Sequence, residues 1–121
     1  MIETKIYAHL STTTAITASV STRIWPMTLP DNPTYPAITY ERISSNPQFG
    51  LSGYASLDNP IITIDCWTTS YDQAKTLSTR VHAAMDSAGT FKANLLTDND
   101  DYNPDLQIYR VVQDYSCWSE D

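Results

Sequence analysis

Glycine is scarce in this chain, at three residues among 121. That excludes a Walker loop and a dinucleotide fingerprint, which need several glycines at fixed spacing to bring backbone N–H groups onto phosphates. Cysteine is scarcer still: Cys66 and Cys117 stand too far apart for a C-x-x-C site. No signal peptide is recognisable, so reduced thiols in a cytosolic compartment are expected, each a small buried hydrophobe within a strand-like run. No apolar run approaches the length of a membrane span, and no membrane association is expected. Cations are few as well. Seven Lys and Arg against fourteen Asp and Glu leave a formal charge of -7, which repels phosphate backbones and anionic lipid surfaces. Two partners suit such a surface: a basic protein, or DNA that must slide past without sticking.

The length suits one domain spanning residues 1–121, able to bury roughly two-thirds of its unfolded surface without staples. Ile2, Ile6 and Leu10 recur at four-residue intervals and predict a short N-terminal helix. Ile16 and Val20 extend that spacing through a Thr- and Ser-rich stretch, predicting a further turn or two. Arg23, Ile24 and Trp25 read as a short strand. Pro26, Pro30, Pro33 and Pro36 then fix φ repeatedly and predict an extended surface connector. Ala37 to Ser44 and Ile61 to Thr69 alternate as strands, the second with Ile62, Ile64 and Cys66 on one face. Between them Asn46 to Pro60 reads as a long mobile loop, making one long-looped hairpin. Ser70 and Gln73 form a capping box ahead of a helix whose stripe is Ala74, Leu77, Val81, Met85 and Ala88, with Gly89 as its stop. Two strands, Phe91 to Leu96 and Leu106 to Trp118, complete the chain, joined by an acidic turn from Asp98 to Asp105. The expected fold is α+β: an antiparallel sheet of about four strands with helices on one face and a long β-hairpin loop.

Constellations that could carry chemistry fail one after another. In the acidic turn, counted from Asp98, the sixth residue is Asn103 rather than Gly and the twelfth is Tyr109 rather than Glu, so it is no EF-hand. Gly50-Leu51-Ser52-Gly53 places its second glycine one residue too early for a nucleophile elbow and precedes a strand, not a helix. His9 and His82 lack a His or Cys at metal-ligand spacing and read as boundary histidines. No catalytic, cofactor-binding or metal residue is therefore expected, and no cofactor. Aromatics are plentiful instead, with eight Tyr, three Trp and two Phe. Those outside clear core positions, with Leu51 beside them, give the candidate interface set Trp25, Phe49, Leu51, Tyr54 and Tyr102; Tyr35 is a further aromatic of this kind.

Several segments fall in a recognisable order: Arg23-Ile24-Trp25-Pro26, Tyr35-Pro36-Ala37-Ile38-Thr39-Tyr40, Ile64-Asp65-Cys66-Trp67-Thr68, a helix opening at Tyr71, and Tyr109-Arg110-Val111-Val112-Gln113-Asp114-Tyr115-Ser116-Cys117-Trp118. From about Ile6 to Trp118 this resembles the small tail-terminator, or tail-completion, proteins of siphophages and prophages. The resemblance implies a structural protein and not an enzyme. It would form a ring, hexameric in relatives, on the head-proximal end of the tail tube, end tube growth and meet a head-completion (stopper) protein of the neck. It would be found in the virion, and in host cytoplasm during assembly. DNA would pass through the lumen unbound, past acidic side chains for which Asp58, Asp98, Asp100 and Asp101 are the candidates. Two other readings are a different neck component and a small cellular binding module or hydrolase, the latter having to use His82, Cys66, Ser52 or the acidic turn.

Overall fold

The computed structural model describes residues 2–44, 47–50 and 53–120, with side chains for 2–44 and 59–118. Helix α1 (Ile2–Ser11) and α2 (Thr14–Val20) bury the expected Ile2, Ile6, Leu10, Ile16 and Val20. What separates them is hydroxyl chemistry: Thr12 and Thr13 Oγ1 donate to the Ala8 and His9 carbonyls at 2.8 and 2.7 Å, satisfying acceptors that α1 leaves open at its end. The strands are β1 (Ile24–Pro26), β2 (Ala37–Ser44), β3 (Pro47–Gly50), β4 (Gly53–Asp58), β5 (Ile61–Thr68), β6 (Lys92–Asn103) and β7 (Ile108–Glu120), with α3 (Tyr71–Asp86) between β5 and β6.

Five strands lie side by side in the order β1-β2-β5-β7-β6, and β1 joins β2 in parallel while the other neighbours are antiparallel. The α+β class stands as expected; the sheet is wider than four strands and mixed. The Asn46 to Pro60 segment is not simply a loop. Its β3 and β4 pair with each other, Phe49 opposite Tyr54, in a register that continues the β2–β5 pairing, and β4 also meets the end of β7 at Leu57–Glu120 and Asp58–Ser119. The result is one long hairpin with an arm projecting past the sheet. Leu51 and Ser52 lie outside the described residues.

Side chains alternate across the sheet. One face presents Ile38, Ile62, Ile64, Cys66, Val111, Tyr115 and Cys117 to the helices, and these form a single buried cluster with Leu77, Val81 and Met85 of α3. Ser70 Oγ accepts from Gln73 N at 3.5 Å, as the capping box predicts. The stop differs from expectation. Helix α3 ends at Asp86, where the Ser87 amide and hydroxyl both satisfy the Ala84 carbonyl, and Gly89 does not take up left-handed backbone.

The largest correction concerns the acidic turn. Asp98 to Asn103 continue β6, paired residue by residue with Gln113 to Ile108, and the turn shrinks to residues 104–107. Asn103 Oδ1 shapes it by accepting from the Asp105 and Leu106 amides at 3.0 and 3.2 Å. Asp and Asn are poor strand formers, but the exposed edge of β7 offers a ladder along its whole length, and that context overrides intrinsic preference.

Candidate assembly surfaces

The isolated histidines are structural ties. His9 Nε2 donates to the Ala84 carbonyl at 2.7 Å and fastens α1 to α3, with its ring against the edge of Phe91. His82 sits 3.5 Å from Asp86 one turn along α3. Cys66 and Cys117 are free and buried. Their strands are neighbours, yet Cys66 pairs with Val111, six residues along β7 from Cys117, roughly 20 Å at strand rise. Burial also pushes the Cys117 thiol up to about 12 and the Cys66 thiol up further, so neither ionises readily. Among the described residues no three His, Cys, Asp or Glu side chains come together to hold a metal ion, and no helix is long and apolar enough to cross a membrane.

The organised polar chemistry lies on the sheet face turned away from the helices. Asp114 accepts from Thr63 Oγ1 at 2.7 Å and from Thr97 Oγ1 at 3.0 Å, bridging β5, β7 and β6. Four residues back along β7 on the same face, Arg110 pairs with Asp101 at 2.7 Å, approaches Asp65 at 3.8 Å and stacks over Trp67 at 5.0 Å. The Trp67 indole donates to Thr39 Oγ1 at 2.9 Å. Asp65 is the strained member: its Oδ1 is buried with no hydrogen-bond partner among the described residues. Burial, aided by the like charges of Glu41 and Asp114, raises its carboxyl to about 6 against the pull of Arg110 and Thr39. The proline connector covers part of this face, since Leu29 and Tyr35 share a cleft with Trp67 and Arg110.

On the helix side of β6, Asp100 accepts from Tyr71 Oη at 3.0 Å and Lys75 Nζ at 3.1 Å. Those bonds hold its carboxyl below the usual carboxylate range and raise Tyr71 and Lys75. Beside them Tyr102 stacks on Tyr109 at 4.6 Å, and Tyr71 meets Tyr109 edge-on at 5.9 Å, around a cleft of about 180 Å³.

The structure divides the candidate residues rather than gathering them. Trp25 on β1 and Tyr102 on β6 are exposed at opposite edges of the sheet. Phe49 and Tyr54 face each other in the backbone register of the arm, and Leu51 lies outside the described residues. Asp98 and Asp100 alternate with Asp101 along β6, so the first two point to the helix side and the third to the open face; Asp58 belongs to the arm. Sequence reasoning missed the Asp65, Trp67 and Arg110 group, whose only signal was a charge and an indole on the polar side of two strands. It also missed buried Gln113, which donates to the Ser78 carbonyl at 3.1 Å and accepts from Tyr115 Oη at 2.8 Å.

The described residues thus give a sheet covered by helices on one face, an arm that continues the β2–β5 hairpin, and exposed aromatics at both edges. The family model of tail completion protein gp17 matches residues 4–120. The chain belongs to that family and is a structural protein of phage tails, working among other tail and head proteins. A chain in the virion of a native gene transfer agent particle has a similar fold, with a TM-score of 0.72 over 96% of this chain and 92% of that one at 14% identity. No curated protein matches the sequence.

Proposed function

We propose that this chain, folded as a single domain, forms a sixfold ring, as its family resemblance implies, on the head-proximal end of the finished tail tube. There it ends tube growth and offers its outer surface to the head-completion protein, after assembly in the host cytoplasm. Its work is structural and not enzymatic. The observation that carries this reading is the family match across residues 4–120, and the long β2–β5 hairpin arm supports it, because an arm that leaves its own sheet suits contact with a neighbour. DNA passes the lumen without specific binding. The open sheet face favours this role, since Glu41, Asp65, Asp101 and Asp114 stand there with Arg110 and a surplus of negative charge repels the phosphate backbone.

Electron microscopy of particles lacking the gene tests the reading. Overlong or polydisperse tails are expected. Tails of normal length beside unjoined heads would place the protein on the head side of the neck instead.

A further inference from the structure

We propose that the open sheet face carries a proton-operated latch: Arg110 bridges Asp65 and Asp101 when Asp65 is ionised, and holds Asp101 alone when Asp65 is protonated. A single copy of the chain suffices, so the latch does not depend on ring formation.

The geometry is that of one fork with two carboxylates in reach. Arg110 Nη2 lies 2.7 Å from Asp101 on β6, a full charge-assisted bond, whereas Nη1 faces Asp65 on β5 at 3.8 Å. About 1 Å of travel separates that approach from a second bond of the same kind. The guanidinium lies over the Trp67 indole at 5.0 Å, and stacking of two flat groups fixes the plane of the fork while leaving movement within that plane open.

Asp65 occupies a place where its proton decides the contact. Its Oδ1 is buried without a hydrogen-bond partner. Glu41 from β2 and Asp114 from β7 add like charge, while Thr39 from β2 and Arg110 from β7 favour the ionised form. From β6, Asp101 holds the other arm of Arg110, and the proline connector brings Tyr35 to the adjoining cleft. Burial is the largest influence, and the carboxyl rises to about 6. Proton uptake there removes the charge that draws Nη1, and the bond to Asp101 remains.

Two neighbours feel the change. The Trp67 indole N–H donates to Thr39 Oγ1 at 2.9 Å, and Thr39 in turn bonds Asp65, so the proton is relayed to the indole. Arg110 and Trp67 also wall a cleft of about 200 Å³ with Leu29, Tyr35 and Leu106. A shift of the guanidinium therefore reshapes the pocket in which the connector packs.

The test is nitrogen-edited NMR of the full chain titrated between about pH 4 and 8. The Arg110 Nε–H and Trp67 Nε1–H resonances should move together, with one midpoint near the Asp65 value of about 6. Asp65→Asn should remove the step from both while the rest of the amide spectrum is retained. Glu41→Gln and Asp101→Asn each take away a negative charge, and the second also frees Arg110, so both should move the midpoint down. Arg110→Gln should move the Trp67 midpoint up. Separate midpoints for the two resonances, no step at all, or a step that survives Asp65→Asn would overturn the latch. Should Asp65→Asn misfold, the Asp101→Asn titration decides, and an unmoved midpoint there would count against a shared Arg110.

Discussion

Replacing Asp65 by Asn should stabilise this protein at neutral pH, although it removes a charge facing Arg110. The carboxyl rises from 3.8 to about 6 on folding, chiefly through burial, which at about 1.4 kcal/mol per tenfold in proton affinity is about 3 kcal/mol against the ionised native state. The sign follows from the proton count. Between about pH 4 and 6 the native chain holds a proton on Asp65 that the unfolded chain has released, so this group's contribution falls as pH rises through that window and is level above it. Asn carries no charge to desolvate, and the attraction of Arg110 at 3.8 Å is already contained in the net rise; Arg110 keeps Asp101 at 2.7 Å. A net gain of about 3 kcal/mol at pH 7 is expected, shrinking towards zero near pH 4. Urea unfolding of both chains from pH 4 to 8, taken as a difference, isolates Asp65 from the other carboxylates. A difference that is flat with pH, or a wild type more stable than Asp65→Asn at pH 7, would refute the argument.

Leu77→Ala and Val81→Ala should each destabilise by a few kcal/mol, about 2–5 for the leucine, because both side chains are buried between α3 and the sheet; surface-like losses in denaturant melts would mean the stripe is misplaced. Tyr115→Phe removes the donor to Gln113 Oε1 and should cost about 1–3 kcal/mol with the fold retained, whereas a neutral result would show that water replaces the hydroxyl. Shortening the arm between Asn46 and Pro60 should leave the thermal midpoint nearly unchanged, since loop-closure entropy varies slowly with length, and should abolish tail completion in a complementation assay. Unimpaired tails from the shortened chain would remove the arm from assembly.

The helices were legible because each buries a single stripe. Ile2, Ile6 and Leu10, or Leu77, Val81 and Met85, can meet a core only at helical spacing. Strands β2 and β5 were legible for the equivalent reason at a period of two. The acidic half of β6 was not. Asp98 to Asp101 resemble a turn when taken alone, and only the unfilled edge of β7, together with Lys75 and Arg110 placed to receive Asp100 and Asp101, makes a strand of them. Likewise β3 and β4 were hidden by a loop-like composition, and they owe their direction to the register set by β2 and β5.

The sequence by itself determined the α+β class, the positions of the three helices and the family, because each follows from periodicity, composition or segment order along the chain. Tertiary structure alone decided which face each aspartate of β6 takes, that Trp25 and Tyr102 stand at opposite margins, and that Asp65 is buried beside Arg110. Those facts depend on strand order and register, which pair residues far apart in the chain; alternation then sends neighbouring aspartates to opposite sides of one sheet.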